Sequence, residues 1–212
     1  MYRFKDLKQK HRALRASYED SFSIRIHRSL SWLNRSEKET EDVDAKFIFL
    51  WISLNSAYSI HMDALKNQGD EELRSDFFQT LLKNGQNEIH EIIYERFSHE
   101  VRSILSNEFI LTSFWEGKDD WEMKLKNEKR EVQDALRDRN ETIYILTILF
   151  KRLYVLRNQI FHGGSTWQGK LNRQQVKDGA NLLSYFLPAI LSIMMENSND
   201  NWGVLAYPPT ND

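Results

Sequence analysis

The 212-residue sequence predicts an all-α fold, a helical bundle, on three observations. Apolar residues recur at steps of three and four through most of the chain, the spacing that lines one face of a helix. Period-two alternation, the mark of a half-buried strand, is not sustained anywhere. Only 8 Gly and 3 Pro punctuate the chain, too few for the turns of a many-stranded fold.

The elements follow in order from that spacing. Tyr18 to Leu33 carries Phe22, Ile26, Leu30 and Leu33 on one stripe. Asp44 to Leu65 carries Phe47, Trp51, Leu54, Tyr58 and Met62. Asp70 to Leu82 predicts a short helix, and Lys66–Gly69 and Lys83–Gln86 bracket it as an insertion in the bundle. Gln86 to Leu105 continues with Ile89, Ile93, Phe97, Val101 and Leu105. Asn107 to Asp119 contains Gly117 and predicts a loop bearing Phe109, Phe114 and Trp115. Asp119 to Arg139 is highly charged, with Trp121, Leu125, Val132 and Leu136 as its apolar contacts. Glu141 to His162 is the most apolar helix and is expected to be central and largely buried; its run is Ile143, Leu146, Phe150, Leu153 and Tyr154. Asn172 to Glu196 is the last. Beyond it, Asn197 to Asp212 is polar, bears Pro208 and Pro209, and reads as a loosely docked tail. With no internal repeat and no linker, the chain is expected to form one domain over 1–196 followed by the tail 197–212.

Composition narrows the class. Hydrophobic residues make up 41% and charged residues 28%, which is globular and not disordered. The absence of cysteine excludes a disulfide frame and a thiolate metal site. Met1 to Arg15 is charged throughout and has no signal-peptide pattern. The longest near-continuous apolar stretch, Leu182 to Met195, is short for a bilayer and contains Pro188. A cytoplasmic location without a membrane partner is therefore expected.

Net charge is −2 with a pI near 6.3, which argues against nucleic-acid binding through the whole surface. Its distribution is uneven. From Thr142 to Val176 there is no acidic residue, while Lys151, Arg152, Arg157, Lys170 and Arg173 are basic. Tyr154, Phe161 and Trp167 are interleaved with them, a mixture that suits single-stranded RNA and equally a solvated helix face. The basic start (Arg3, Lys5, Lys8, Lys10, Arg12, Arg15) has the same two readings.

Within that segment, Arg157-Asn158-Gln159-Ile160-Phe161-His162-Gly163-Gly164 joins a fixed cation, a titratable imidazole and a helix-stop signal. Arginine grips phosphate oxygens through a bidentate fork, and histidine exchanges protons near neutral pH. Together they supply what phosphodiester cleavage without a metal requires. A purely structural reading pairs Arg157 with an acid on a neighbouring helix and sets His162 against the helix C-terminal dipole, with the glycines as a stop. An unpaired charge on a core helix is costly, which favours the functional reading. Residues five apart point about 140° away from each other on a helix, so both reach one phosphate only in a cleft or at an interface.

Asn55 lies with Phe47, Trp51 and Tyr58 on one otherwise apolar helix face. A buried amide there must be satisfied, with Arg157 or Asn158 as the expected partner; it reads first as a tether between helices and second as a phosphate ligand. His90, Glu91, Glu95 and His99 lack a metal-site spacing, and His11, His27 and His61 have no partner pattern. No Gly-rich phosphate loop is present.

Arg157-Asn158-x-x-x-His162 at the end of an apolar helix resembles the HEPN superfamily of nucleic-acid-associated domains. Their signature is an arginine, four to six residues, then histidine, often with a polar residue after the arginine. Phe47-Ile48-Phe49-Leu50-Trp51-Ile52-Ser53-Leu54-Asn55-Ser56-Ala57-Tyr58 is similar to the aromatic helix upstream of the motif in Apea-like bacterial members, and the resemblance runs from about Asp44 to Met195. It implies a metal-independent endoribonuclease without cofactor, a homodimer whose motifs meet across a two-fold axis, and RNA as substrate. It also implies a toxin–antitoxin or phage-defence setting, with an antitoxin or other protein partner. By the same resemblance Arg157 and His162 are catalytic, and Asn158, with Asn55, binds or orients substrate. His162 serves the ribose 2′-hydroxyl and the leaving oxygen, and Arg157 the phosphorane. Where antitoxin-paired members carry a tyrosine two residues after the histidine, this chain has Gly164, so nucleotide attachment there is not expected. The alternative is a non-catalytic scaffold of that fold binding nucleotide, RNA or a protein partner.

Overall fold

A helix whose apolar residues run all the way round can only sit inside other helices, and the last one in this chain is of that kind. In the computed structural model, which describes residues 2–58 and 70–208 (only the backbone of 70–73), it spans Arg173–Glu196. Of its 24 residues, 16 are buried, against 8 of 20 in the motif helix Thr142–Phe161. The centre of the bundle is therefore the last helix, and the motif helix packs with one face inward; this corrects the expected order. It is the one described helix long and apolar enough to cross a membrane, and 83% of its apolar window is covered by the protein itself.

Nine α-helices build the described structure, and no β-strand occurs among the described residues. They are α1 Phe4–Leu14, α2 Asp20–Glu37, α3 Val43–Tyr58, α4 Asp70–His90 and α5 Ser98–Ser106. The single-turn α6 Thr112–Trp115, then α7 Trp121–Asp138, α8 Thr142–Phe161 and α9 Arg173–Glu196, complete the series. The expected end of the second helix near Leu65, and the interruption Lys66–Gly69, lie outside the described residues.

α1 was not apparent from periodicity because only Leu7 and His11 are buried on it. Its start is tied to the end of α2, where the Phe4 N–H donates to Glu37 Oε1 at 2.7 Å. α2 and α3 run antiparallel around a reciprocal pair: Ser29 Oγ donates to the Ser53 carbonyl at 2.8 Å, and Ser53 Oγ to the Ser29 carbonyl at 2.6 Å. Small side chains that bond to each other's backbone let these helices approach closely.

The interruption expected at Lys83–Gln86 is narrower than a loop. α4 runs through it with a single non-helical residue, Gly85 (φ −140°, ψ 33°), whose missing Cβ leaves room for Ile193 of α9. After a π-helical turn over Glu91–Arg96, the backbone breaks at Phe97 (φ −119°, ψ 20°), so Gln86 to Leu105 is not one helix. Phe97 packs edge-on against Tyr185 of α9 with ring centroids 5.0 Å apart, a contact the local sequence does not signal.

The described part of the tail is held more firmly than expected. Trp202 is buried against Phe77, and its indole donates to the Asn197 carbonyl at 2.8 Å. Arg25 donates to the carbonyls of Ala57 and Gly203, and Arg28 to those of Ala206 and Tyr207, so two α2 arginines clamp residues 203–207.

Candidate functional site

α8 ends where its sequence says it should. The His162 N–H reaches the Asn158 carbonyl at 2.9 Å, Gly163 turns into the left-handed region (φ 71°), and the Ser165 N–H closes onto the Gln159 carbonyl at 3.1 Å. A left-handed residue straight after the helix is the glycine's task here, since a side chain would be strained.

Arg157 sits one turn before that end, half-buried. Its Nη1 donates to Asn158 Oδ1 at 2.8 Å, and its guanidinium lies 4.2 Å from the centroid of the Phe161 ring. Nε is buried without a hydrogen-bond partner, and no carboxylate pairs with the side chain among the described residues. The acid partner required by the structural reading is thus not found. The stack on Phe161, at i+4 on the same helix, fixes the plane of the fork while no described carboxylate neutralises its charge. His162 is exposed, and its imidazole has no hydrogen bond among the described residues.

The other cations of the segment are not equivalent. Arg152 is buried and paired to Glu128 at 2.8 Å, and Arg173 is paired to Asp44 at 2.7 Å. Lys151 has an interaction of its own, and Lys170 is exposed. The loop from Gly163 to Asn172 is pinned to the start of α3. Trp167 Nε1 donates to Asp42 Oδ2 at 2.9 Å, and the Gln168 N–H to Asp44 Oδ2 at 3.1 Å. Asp42 also caps α3 by accepting the Ala45 N–H at 3.0 Å; that bond, followed by the Trp167 bond and the charge of Arg173, holds its carboxyl below the usual range against some desolvation. A second tie runs through Gln159, which donates to the Phe109 carbonyl at 2.5 Å and accepts from Asn172 at 2.6 Å. Asp42, Asp44 and Gln159 were not among the expected site residues. The i, i+4 spacing of Arg157 and Phe161 was readable, whereas the carboxylate ties join residues more than a hundred positions apart.

The structure thus brings Arg157, Asn158 and His162 to one helix end, with Phe161 between them. No hydrogen bond among the described residues joins Asn55 to that group. α3 and α8 are antiparallel, with Trp51 beside Tyr154 and with Trp51, Leu54, Tyr58 and Phe150 enclosing one small cavity. Asn55 Oδ1 is buried and accepts no hydrogen bond from a described residue, and no bond to Arg157 or Asn158 forms the expected tether. Among the described residues, no group of three or more His, Asp or Glu side chains is gathered as a metal would need.

No known family, no curated protein and no solved structure matches the chain.

Proposed function

We propose that this chain is a cytoplasmic, metal-independent endoribonuclease of the HEPN type, acting as a homodimer in a toxin or phage-defence setting. The observation that supports the reading most is Arg157. It is a half-buried guanidinium that no carboxylate among the described residues reaches, held by Asn158 and Phe161, one turn from an exposed histidine. In the proposed reaction, His162 takes the ribose 2′-hydroxyl proton as the 2′-oxygen attacks phosphorus. The P–O5′ bond breaks, the leaving oxygen receives a proton, and the products are a 2′,3′-cyclic phosphate and a 5′-hydroxyl. Arg157 stabilises the charge on the equatorial oxygens, and Asn158 steadies Arg157. Because Arg157 and His162 diverge around the helix, a partner copy's motif completes the cleft.

A second reading, a non-catalytic scaffold, is favoured by the same contacts: a guanidinium engaged by Asn158 and stacked on Phe161 is also a way of packing a charged side chain. Incubating wild type and His162→Ala with RNA in EDTA separates the two. Cleavage by the wild type alone supports the enzyme; equal cleavage by both, or none by either, supports the scaffold.

A further inference from the structure

Of the ten large apolar side chains exposed among the described residues, four belong to the end of α8 and the segments tied to it: Trp115, Phe161, Trp167 and Leu171. Single exposed apolar residues need no explanation, but a concentration of them marks a binding surface. Two of the four are tryptophans, 56% and 70% exposed. Each has its one polar atom engaged inside the protein. Trp167 Nε1 donates to Asp42 Oδ2 at 2.9 Å, and the next backbone N–H, that of Gln168, is held by Asp44. Trp115 Nε1 donates to the Phe109 carbonyl at 2.7 Å, and its ring meets Phe114 at 87°. One edge of each indole is thus tethered while most of its surface faces solvent. Such a ring is ordered before anything binds to it.

Both tethered segments lead back to the motif turn. The Phe109 carbonyl that accepts the Trp115 indole also accepts from Gln159 Nε2 at 2.5 Å. Gln159 Oε1 in turn accepts from Asn172 at 2.6 Å, at the end of the loop that carries Trp167. Charge says what the rings would meet there. No acidic residue occurs from Thr142 to Val176, and Asp42 and Asp44 are taken up by the loop and by Arg173. Arg157 and the exposed Lys170 have no ion pair among the described residues. A polyanion carrying flat apolar faces matches this surface, and a strand with unpaired bases is such a ligand: its bases stack on aromatic rings while its phosphates follow the cations. A duplex keeps those faces stacked on one another.

We propose that Trp115 and Trp167 are stacking platforms for two unpaired bases of the strand that the Arg157–His162 motif engages. The proposal rests on the ribonuclease reading for what happens at the phosphate, and on the two indoles alone for the stacking.

Fluorescence anisotropy of a dye-labelled 2′-O-methyl oligoadenylate, titrated with the full chain at one fixed salt concentration, tests it. The probe has no free 2′-hydroxyl and stays whole whether or not the motif cuts. The variants are Trp115→Ala, Trp167→Ala and Trp167→Phe, each matched to wild type by circular dichroism. Both tryptophans are exposed, and Asp42 and the Phe109 carbonyl keep their bonds from Ala45 and Gln159. Saturable binding is expected, weakened at least about fivefold in each alanine variant, the low end for one lost base stack. Trp167→Phe keeps a ring without the N–H and should restore most of the loss. The same strand annealed to 2′-O-methyl oligouridylate should bind more weakly, with no further change in the alanine variants.

Failure to saturate by about 100 μM, the weak end of non-specific strand binding, overturns the proposal. So does unchanged affinity in either alanine variant, an equal loss on the duplex, or Trp167→Phe binding as poorly as Trp167→Ala. An alanine variant that loses the wild type's dimer in light scattering also overturns it, by giving the rings to a second copy. RNA cleavage by the wild type without these binding effects removes this proposal and leaves the ribonuclease reading standing; tryptophan-dependent binding without cleavage does the reverse.

Discussion

Acid should destabilise this fold through His11. The side chain lies in the seam between α1 and α2, 3% exposed, with Nε2 3.3 Å from Ser23 Oγ and Nδ1 buried without a partner. Burial, reinforced by the charges of Lys8, His27 and Arg15, pulls its pKa down from 6.5 to about 4, against a smaller opposing effect of the Ser23 backbone. The folded state thus holds a neutral imidazole where the unfolded chain takes up a proton. Above pH 6.5 both states are neutral and the full stability is present. As pH falls below 6.5 the unfolded state is protonated first, and stability is lost until the folded state also protonates near 4. At 1.36 kcal/mol per pH unit the whole interval corresponds to roughly 3 kcal/mol, of which about 2 is gone by pH 5. His11→Phe keeps a ring of similar size, cannot titrate, and forgoes the Ser23 contact, so at pH 7 it should lie within about 1 kcal/mol of wild type. Urea unfolding of both proteins at several pH values gives the comparison directly. Between pH 7 and 5, wild type should lose roughly 2 kcal/mol more than the variant. Parallel loss in the two proteins would refute the assignment, because the carboxylates common to both would then account for the acid sensitivity.

Three further outcomes are expected. Gly179→Ala should lower the thermal midpoint, since the new Cβ would stand 3.0 Å from Leu153 Cδ2 and Phe47 Cε2. Overpacking of about 1–3 kcal/mol outweighs the ~1 kcal/mol that alanine gains in helix propensity. Arg25→Leu strands the Ala57 and Gly203 carbonyls, each bonded at 2.8 Å, and should cost roughly 2–6 kcal/mol in urea unfolding at about 1–3 per stranded group; a loss under about 1 would show the clamp to be dispensable. If the proposed ribonuclease reading holds, His162→Ala should abolish RNA cleavage with the fold intact, and Arg157→Lys should largely abolish it, because a point charge cannot reproduce the fork. A lysine variant with wild-type rate would remove the bidentate role.

Much of the fold was legible because helix periodicity is a local property. α2, α7, α8 and α9 begin and end within a few residues of where their apolar stripes and the Gly163 stop place them. What was missed depends on contacts between distant segments. α1 shows only two buried residues and becomes a core helix only by leaning on α2 and α9, where Lys10 reaches Ser192 and Glu196. The break at Phe97 is accompanied by a ring packed on Tyr185, 88 positions later in the numbering. The tail reads as polar, yet it is held by Arg25, Arg28 and the burial of Trp202.

The candidate site divides along the same line. By itself the sequence determined which chemistry stands at the end of α8, because Arg157, Asn158, Phe161, His162 and Gly163 are neighbours on one helix and its stop, and helical geometry fixes their mutual placement. Only the tertiary structure decided which charges are neutralised. Glu128 and Asp44 come from other helices to take Arg152 and Arg173, while no carboxylate among the described residues reaches Arg157. It also decided that Asn55 Oδ1 is buried with no hydrogen-bond partner among the described residues, where the sequence expected a tether to Arg157 or Asn158. Side-chain identity travels with the chain, but neutralisation and pairing arise from burial between segments, and burial exists only once the bundle has closed.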